Sequence, residues 1–253
     1  MSGTSGTNGV SDGSAANHGP VSDVVIAIDG PAGAGKSTLA ARLAQKLGYI
    51  NLESGAMYRA LGLKALVSEA ALDDEAALVA LAEKCRIELR PETDGNRVLL
   101  DGRDVSQRIR EQDVTDAASK VSVHPRVREW MVAHQREMGT QGGIVMEGRD
   151  IGTKVFPGAE VKIFLDAAPE VRGDRRFRQK PEASLPPEAI IAELRERDRR
   201  DRTRAASPLA PAPDAVIIDS TNMTIEQVVD RVEAIIAERS SALGRRPKTK
   251  SNP

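Results

Sequence analysis

Aromatic residues are scarce in this sequence: they make up 2% of its 253 residues. This scarcity argues against a protein whose main mode of binding is the stacking of bases on aromatic side chains. Positive charge is not in excess either, because 36 lysine and arginine residues face 37 aspartate and glutamate residues, for a net charge of −1. A polycation is thereby excluded. We expect any anion site to be a local concentration of arginine, with no nucleic acid as partner.

Cysteine occurs once, at Cys85, so an intrachain disulfide is excluded and a reducing cytoplasm is favoured. No uninterrupted apolar run approaches the roughly 18–20 residues that a membrane span requires. The chain also does not open with the charged and apolar regions of a secretory signal. We therefore expect a cytoplasmic protein that has no membrane partner.

The two ends of the chain differ in composition from the rest. Residues 1–20 are rich in Gly, Ser, Asn and Thr, and residues 241–253 form a short basic tail. Both segments are predicted to be disordered because they offer little apolar surface to bury. Hydrophobic residues make up 40% of the sequence, which is enough for the core of one domain over residues 21–240.

Five short apolar runs alternate with helical patterns along this domain. Their brevity and their β-branched residues predict buried strands, and the alternation predicts a five-stranded parallel sheet flanked by helices, an α/β fold in three layers. The predicted strands are 24–28, 49–52, 143–146, 161–165 and 215–218. The predicted helices include 36–47, 124–138, 187–204 and 224–238. Residues 85–110, with two β-like pieces around the turn TDGN and a second turn LDGRD, predict a small antiparallel β insertion.

A carboxylate directly follows each apolar run. Because parallel strands all end at one edge of the sheet, where ligands bind, these side chains are expected to line one crevice. Two of them are interpreted as residues that only mark where a strand leaves the core, and the other three precede richer motifs. The two are Asp166 and Asp219, and the three are Asp29, Glu53 and Glu147.

The stretch GPAGAGKS at residues 30–37 matches the phosphate-binding pattern G-x-x-x-x-G-K-[ST]. It follows the first predicted strand and opens an amphipathic helix, which is the context that the motif requires. Its glycines let backbone N–H groups converge on phosphate oxygens. Lys36 is expected to reach the β- and γ-phosphates, and the Ser37 hydroxyl is expected to ligate Mg²⁺. The predicted triphosphate-binding residues are Gly30, Pro31, Ala32, Gly33, Ala34, Gly35, Lys36, Ser37 and Thr38.

The sequence thus predicts a P-loop protein that binds a nucleoside triphosphate, and the open question is which group receives the phosphoryl group. The Asn-Lys-x-Asp signature of GTPases and the catalytic motifs of protein kinases do not occur. The stretch ESGAMYR places Ser54, Tyr58 and Arg59 after the second strand, where they suit a second phosphorylated ligand. The alternative is that Ser54 caps a helix and Tyr58 lies in the core.

The stretch EGRDIGTKVF places Arg149 and Asp150 after the third strand, at the same edge of the sheet. The similar DGRD at residues 101–104 lies in the β insertion, with no parallel strand ahead of it, and is interpreted as a turn. The neighbouring predicted strands therefore indicate a binding site at residues 147–150 and a turn at residues 101–104.

Residues 195–204 read RERDRRDRTR, with nine charged side chains in ten positions. Such runs usually face solvent. The apolar stripe that ends at Leu194 continues, at helical spacing, to Arg197, Asp201 and Arg204. These three are predicted to face a ligand, with Asp201 orienting both arginines. Arg195, Arg199 and Arg202 are predicted to face solvent, and the face of Arg200 is left open.

Six stretches, in this order and spacing, together resemble bacterial cytidylate kinases. They are IDGPAGAGKST, LESGAMYRA, AASKVSVHPRVRE, EGRDIGTKVFP, VKIFLDA and RERDRRDRTRAASPL, and the similarity runs from about residue 24 to about residue 238. The β insertion resembles that family's enlarged acceptor domain. The resemblance implies a nucleoside monophosphate kinase that phosphorylates CMP and dCMP with ATP and Mg²⁺, by in-line transfer.

The resemblance also implies roles for individual residues. Residues 170–186 would be a mobile lid over ATP, in which Arg172, Arg175 and Arg176 are candidate contacts, with Arg172 and Arg176 assigned to ATP. The implied CMP contacts are Ser54, Tyr58, Arg59, Ser119, Arg128, Arg149, Asp150, Arg197, Asp201 and Arg204. The implied catalytic residues are Lys36, Arg59, Arg149 and Asp150.

Cytosine presents an amino donor at C4 and acceptors at N3 and O2, whereas uracil reverses the pattern at C4 and N3. We assign Asp150 or Ser119 to the amine and Arg128 to the ring. Each mismatched buried group costs about 1–3 kcal/mol, so CMP is expected to be preferred over UMP by at least roughly tenfold. Two alternatives remain at this stage: a P-loop kinase for another small acceptor, and a nucleic-acid binder that uses the arginine cluster. We expect a monomer.

Overall fold

The computed structural model describes residues 24–92, 95–140, 142–179 and 186–242. The predicted disordered tail 1–20, most of the tail 241–253, part of the predicted lid (180–185) and part of the turn TDGN (93–94) lie outside the described residues. In the described ranges, no helix is both long and apolar enough to cross a membrane.

The strands and helices alternate along the chain except in the β insertion. The strands are β1 Val25–Asp29, β2 Ile50–Glu53, β3 Ile87–Glu92, β4 Gly95–Leu100, β5 Arg103–Asp104, β6 Ile144–Glu147, β7 Val161–Asp166 and β8 Val216–Asp219. The helices are α1 Lys36–Leu47, α2 Ser54–Val67, α3 Glu75–Lys84, α4 Gln112–Val121, α5 Pro125–Met138, α6 Pro169–Gln179, α7 Pro187–Thr203 and α8 Ile225–Ala242. A 3₁₀ turn spans Arg108–Arg110, and a π-helical turn spans Ile151–Val155.

Five strands form one parallel sheet in the order β2-β6-β1-β7-β8, which confirms the predicted fold class. Each strand runs one residue beyond its apolar run and takes in the carboxylate. The register pairs Glu53 with Glu147 and Asp166 with Asp219. The five carboxylates therefore stand at one edge of the sheet, as predicted.

Helices cover both faces of the sheet because both faces are apolar. On one side α1 and α8 pack on the strands through residues such as Ile26, Leu39 and Val232. On the other side strand residues such as Met146 pack with the π-helical turn and α5. A separate cluster unites α2, α3, α4 and α5 with the β insertion around fully buried side chains such as Met57. The layers leave the carboxyl edge of the sheet open for a site.

The insertion at 85–110 contains a three-stranded antiparallel sheet in the order β3-β4-β5. Strand β3 pairs with β4 from Ile87 opposite Leu100 to Glu92 opposite Gly95. The pattern DGRD at 101–104 forms the tight turn into β5, where Asp101 and Gly102 have φ values of 52° and 79°. The insertion lies beside β2, the strand at the edge of the parallel sheet.

Candidate active site

The loop between β1 and α1 is shaped by glycines with positive φ. Gly30 (φ 145°) lies so close to β7 that a Cβ atom there would stand 2.0 Å from the carbonyl oxygen of Leu165. Gly33 and Gly35 have φ values of 77° and 98°. No side chain caps the first turn of α1, which begins at Lys36. Its N–H groups and its positive helix end thus face the loop, as a phosphate site requires.

Two side chains of α1 meet the carboxyl end of β6. The Lys36 ammonium donates a hydrogen bond to Pro31 O at 2.7 Å, and the Ser37 hydroxyl donates to Glu147 Oε1 at 2.9 Å. Burial lowers the pKa of Lys36 to about 7, with a further contribution from the positive charge of Arg149. Burial also raises the pKa of Glu147. A lysine, a hydroxyl and a carboxylate thus converge behind the loop.

The Ser37 hydroxyl and the Glu147 carboxylate fit Mg²⁺. Both offer hard oxygen donors, and Mg²⁺ is usually held by one or two protein groups together with substrate phosphates and water. Within the described ranges, no group of three or more His, Cys, Asp and Glu side chains forms a complete metal cage. A magnesium ion that arrives with the triphosphate suits this donor set.

Two cavities open on opposite sides of the loop. The donor cavity, of about 410 Å³, is lined by Gly33–Thr38, by α6 and by the segment from Ser220 to Val228. The acceptor cavity, of about 280 Å³, lies between the loop, α2, the β6 edge and α7. Four residues line both cavities: Gly33, Lys36, Ser37 and Arg176. The two cavities therefore share one wall, which carries the lysine and the hydroxyl.

Ion pairs hold the arginines of the acceptor cavity in place. Asp201 accepts from Arg149 Nε at 3.0 Å and from Arg204 Nη1 at 3.4 Å. Asp150 Oδ2 accepts from Arg128 Nη2 at 2.6 Å, and both partners are buried. Further ion pairing joins Arg59 to Glu53. These pairs orient the arginines and leave other guanidinium donors for a ligand.

Several buried polar atoms around this cavity have no hydrogen-bond partner in the part of the chain that the structure describes. They are Tyr58 OH, Arg59 Nε, Arg128 Nε and Arg204 Nη2. Arg197 also lines the cavity and forms no ion pair with a described residue. Buried polar groups are almost always satisfied, so this set of donors suits an anionic ligand that is rich in acceptor oxygens.

Asp29, at the end of β1, fixes the backbone that follows Arg149 and Asp150. Its carboxylate accepts hydrogen bonds from Ile151 N at 2.8 Å and Gly152 N at 2.7 Å. Burial raises the pKa of Asp29 to about 6 even though these amides favour its charged form. Asp29 thus acts through the backbone and does not line either cavity.

Comparison with known proteins supports the family assignment. The family model for cytidylate kinase matches residues 26–238. The cytidylate kinase of Pasteurella multocida is 46% identical over 217 residues, which cover 85% of this chain and 96% of that protein. The cytidylate kinase of Geobacillus kaustophilus is 49% identical over 218 residues, or 85% of this chain and 97% of that protein.

The chain belongs to the cytidylate kinase family. A third relative, the cytidylate kinase of Solibacter usitatus, is 50% identical over 220 residues, which are 85% of this chain and 93% of that protein. The resemblance that the sequence motifs indicated is therefore correct. The matched region, residues 26–238, takes in nearly all of the described fold, from β1 into α8.

The acceptor cavity is lined by most of the residues that are predicted to bind substrate in this member of the cytidylate kinase family. They are Ser54, Tyr58, Arg59, Arg128, Arg149, Asp150, Arg197, Asp201 and Arg204. Of the predicted triphosphate residues, Gly33–Thr38 line the donor cavity. Ala32 lines the acceptor cavity, whereas Gly30 and Pro31 shape the loop from behind.

Ser119 is not brought into the acceptor cavity. It is half-buried on α4 and lines an adjoining cleft of about 140 Å³ between α4 and α7, which Arg176 and Arg197 also line. Ala118 and Ser122 of the same segment line the acceptor cavity instead. A contact between Ser119 and cytosine stays a prediction from the resemblance.

The structure places Arg172, which the resemblance assigned to ATP, away from the donor cavity. Its side chain is buried and donates to Ala167 O at 2.8 Å, to Ala32 O at 3.0 Å and to Asp198 Oδ2 at 2.5 Å. All three of its nitrogens are thus bound to protein acceptors, and it does not line the donor cavity. The α6 arginines that do line it are Arg175, Arg176 and Arg178.

The charge run 195–204 also differs from its predicted geometry. Helix α7 ends at Thr203, so Arg204 reaches the cavity from extended backbone with φ −61° and ψ 141°. Asp201 orients Arg149 and Arg204 and forms no hydrogen bond or ion pair with Arg197 among the described residues. Of the two neighbouring arginines expected beside Asp201, only Arg204 pairs with it among the described residues, and a second partner, Arg149, comes from the loop after β6.

Sequence reasoning missed two inward-facing acids. Asp198 is buried and pairs with Arg172, and its signal was its place four residues after Leu194 on the same stripe. The role of Glu53 in holding Arg59 carried only the weak signal of a carboxylate at a strand end.

The arginines predicted to face solvent are exposed, and their partners are surface acids: Arg195 with Glu170, Arg199 with Glu196 and Arg202 with Asp166. The structure leaves Arg200 half-buried.

Proposed function

We propose that this chain transfers the γ-phosphoryl group of ATP to CMP and dCMP, giving CDP and dCDP. The observation that carries this proposal is the shared wall of the two cavities: Lys36 and Ser37 face a cavity for a triphosphate on one side and an arginine-lined cavity on the other. The family, whose relatives carry the name cytidylate kinase, supports a cytidine nucleotide as the acceptor.

The arrangement suits direct, in-line transfer without a covalent enzyme intermediate. Arg59 and Arg149 would hold the acceptor phosphate, and Lys36 would stabilise the charge that develops on the transferring group. Ser37 and Glu147 would hold Mg²⁺, which when bound neutralises charge on the triphosphate. Arg176, which lines both cavities, would contact the phosphoryl group on the donor and on the acceptor side.

Cytosine would be recognised at the end of the cavity formed by Arg128, Asp150 and Tyr58. The Oδ2 atom of Asp150 accepts a hydrogen bond from Arg128, and its Oδ1 atom would accept one from the C4 amine. The Arg128 Nε and the Tyr58 OH have no other partner among the described residues and suit the ring acceptors. UMP would present a carbonyl at C4 to a carboxylate, which costs about 1–3 kcal/mol for each unmatched buried group.

The chain would be organised as one domain over residues 21–240 with two movable parts. The β insertion at 85–110 would close over the acceptor. Residues 170–186 would form the lid, and Arg175 and Arg176, which line the donor cavity, support this role. Binding of both substrates would draw the two parts together and exclude water.

We further propose that the protein is a monomer in the cytoplasm, with small nucleotides as its only substrates. The free thiol Cys85 is buried, which suits a reducing compartment. A role in binding nucleic acid is disfavoured, because the cavity arginines are already paired with Asp150, Asp201 and Glu53 inside one concave site.

A parallel assay of phosphoryl acceptors tests the proposed function. ATP is offered with CMP, dCMP, UMP, AMP and shikimate, and the nucleoside diphosphate or phosphorylated product is quantified. We expect CMP and dCMP to be phosphorylated, with kcat/KM for UMP at least about tenfold lower than for CMP. Equal efficiency with CMP and UMP would disprove the base-reading assignment, and transfer to shikimate alone would identify a kinase for another acceptor.

A further inference from the structure

A buried asparagine links the β insertion to the parallel sheet. Asn96 lies on β4, and its side chain is directed at β2. Its Oδ1 accepts a hydrogen bond from Glu53 N at 2.9 Å, and its Nδ2 donates to Asn51 O at 2.7 Å. The same Nδ2 donates to Gly95 O at 3.1 Å. The amide of one side chain therefore joins two backbone groups of another sheet.

These two backbone groups lie on the open edge of β2. Among the described strands, β2 pairs in the parallel sheet with β6 alone, so its other edge has no partner strand there. The Asn96 amide offers one acceptor and one donor to that edge, as the peptide group of a neighbouring strand would. The Asn96 side chain thus takes the place of a neighbouring strand at the end of β2.

The last residue of β2 holds an arginine of the acceptor cavity. Glu53, whose N–H is bound by Asn96, forms an ion pair with Arg59 one turn into α2. The Arg59 guanidinium crosses close over Gly55, where a Cβ atom would lie 3.3 Å from Nη1. Because Arg59 Nε has no partner among the described residues, the position of Glu53 decides where the free donors of Arg59 point.

We propose that Asn96 is a positioning residue for the acceptor phosphate: it ties the β insertion to the end of β2 and so sets Glu53 and, through it, Arg59. Any movement of the insertion then changes the position of a phosphate-binding arginine, which couples closure of this part to acceptor binding. The inference rests on the proposed function, because the phosphate that Arg59 binds is taken to be that of CMP.

Replacement of Asn96 by leucine tests this role in the full chain. Asn96→Leu keeps the branched shape of the side chain but removes both hydrogen bonds to β2. We expect KM for CMP to rise about tenfold, the effect of roughly one lost charge-orienting hydrogen bond. KM for ATP is expected to stay within about twofold of wild type, because the donor cavity does not include Arg59. A merely structural loss would affect both substrates alike.

Arg97→Ala is the matched control. Arg97 is the next residue of β4, its side chain is about half exposed, and its ion pair with Asp104 lies within the insertion. The substitution perturbs the same strand without touching β2. We expect both KM values to stay within about twofold of wild type.

A double-mutant cycle identifies the route through Arg59. In an Arg59→Ala background, Asn96→Leu should change KM for CMP by less than about twofold, because the arginine that it positions is gone. An undiminished tenfold effect in that background would overturn the proposal. So would an Asn96→Leu enzyme that is indistinguishable from Arg97→Ala.

A second variant and a wild-type control distinguish failure of the role of Asn96 from failure of the proposed function. If Asn96→Leu does not fold, Asn96→Ala carries the test, since it also removes both hydrogen bonds to β2 and has a smaller side chain; it should show the same selective rise in KM for CMP. Wild-type enzyme is run alongside every variant. A wild type that fails to phosphorylate CMP refutes the proposed function, whereas an active wild type with unchanged Asn96 variants refutes only the role of Asn96.

Discussion

The side chain of Lys36 lies in the wall between the donor and acceptor cavities, with charged neighbours on every side. Its pKa is lowered to about 7: burial and the positive charges of Arg149 and Arg197 lower it, and Glu147 and Asp29 oppose them. Burial thus makes the ammonium form of this lysine less favourable in the free protein than that of an exposed lysine. A triphosphate placed beside it favours the ammonium form, so nucleotide binding is linked to a proton.

We predict that ATP binding takes up a proton and weakens as the pH rises from about 7 to 9. The sign follows from the lowered pKa: above about 7 the free lysine is mostly neutral, and a proton must be added to form the charged complex. Calorimetric titration in buffers of different ionisation enthalpy counts this proton. Lys36→Arg, which stays charged, should remove most of the uptake. Absence of proton uptake at pH 8 in wild type would contradict the prediction.

Arg204 and Arg195 offer a test of which arginines in the charge run serve the ligand. The Arg204 side chain is 5% exposed and faces the acceptor cavity, whereas that of Arg195 is 61% exposed and pairs with Glu170. We predict that Arg204→Ala raises KM for CMP by at least about tenfold, and that Arg195→Ala changes it by less than about twofold. Steady-state kinetics with CMP as the varied substrate measures both. Equal effects would show that Arg204 does not face the ligand.

At the scale of whole elements, the phosphate loop, α6 and α7 are joined by one buried arginine. Arg172 on α6 binds Ala32 O in the loop and Asp198 on α7. The backbone of α6 also packs against Gly33, where a Cβ atom would lie 3.2 Å from the Arg172 carbonyl oxygen. The base of the lid is thus attached to the loop that holds the phosphates, and α6 cannot shift there without affecting the loop.

Removal of one partner of this buried pair should destabilise the protein. Arg172→Ala leaves the buried Asp198 carboxylate without its cation, which costs about 3 kcal/mol or more of unfolding free energy. In a chain of this size about 1 kcal/mol corresponds to roughly 2–4 °C in Tm, so a fall of about 6–12 °C is expected. Thermal unfolding followed by circular dichroism measures the shift.

Arg178→Ala provides the comparison for that measurement. Arg178 lies on the same helix, but its pair with Asp174 is exposed, with side-chain exposures of 77% and 53%. Exposed pairs contribute about 0–1 kcal/mol, so Tm should fall by no more than a few degrees. Equal Tm values for the two variants would mean that the Arg172–Asp198 pair does not support the fold.

Considered as a whole, the molecule concentrates its unusual charge in one concave site while its total charge is close to neutral. The net charge is −1, yet arginines from α2, α5, the β6 edge and α7 meet in the acceptor cavity. Paired acids offset them there. The anion site is therefore built by folding, which brings together side chains far apart in sequence.

We predict that the protein sediments as a monomer of 27.1 kDa. The exposed large hydrophobic side chains of the described residues are few and belong to four separate segments: Ile50, Val67, Val123 and Ile217. A stable homodimer usually buries a contiguous apolar surface, for which this set is too sparse. Sedimentation velocity at micromolar concentration decides the matter, and a species of twice the mass would contradict the prediction.

The sequence predicted the helices and strands better than it predicted which side chains pair with each other. Strand ends and the loop before Lys36 are local features, because period, brevity and glycine spacing depend on neighbours in the chain. The pairing of Asp201 with Arg149 joins residues 52 positions apart, and that of Arg172 with Asp198 joins residues 26 apart. Such pairs depend on how elements pack, so periodicity places a residue on a face without naming its partner. Asn96 lay in the β insertion and carried no signal of its link to β2.

The contact between Gly30 and strand β7 has a consequence for genetics. A Cβ atom at position 30 would overlap the Leu165 carbonyl oxygen at 2.0 Å, in a conformation that L-residues rarely adopt. Gly158, by contrast, has open space around the place of its Cβ atom and no positive φ. Saturation mutagenesis under selection for activity would thus return glycine alone at codon 30 and a broad range of codons at 158. A population of variants would record, without any structure determination, where the phosphate loop comes into backbone contact with strand β7.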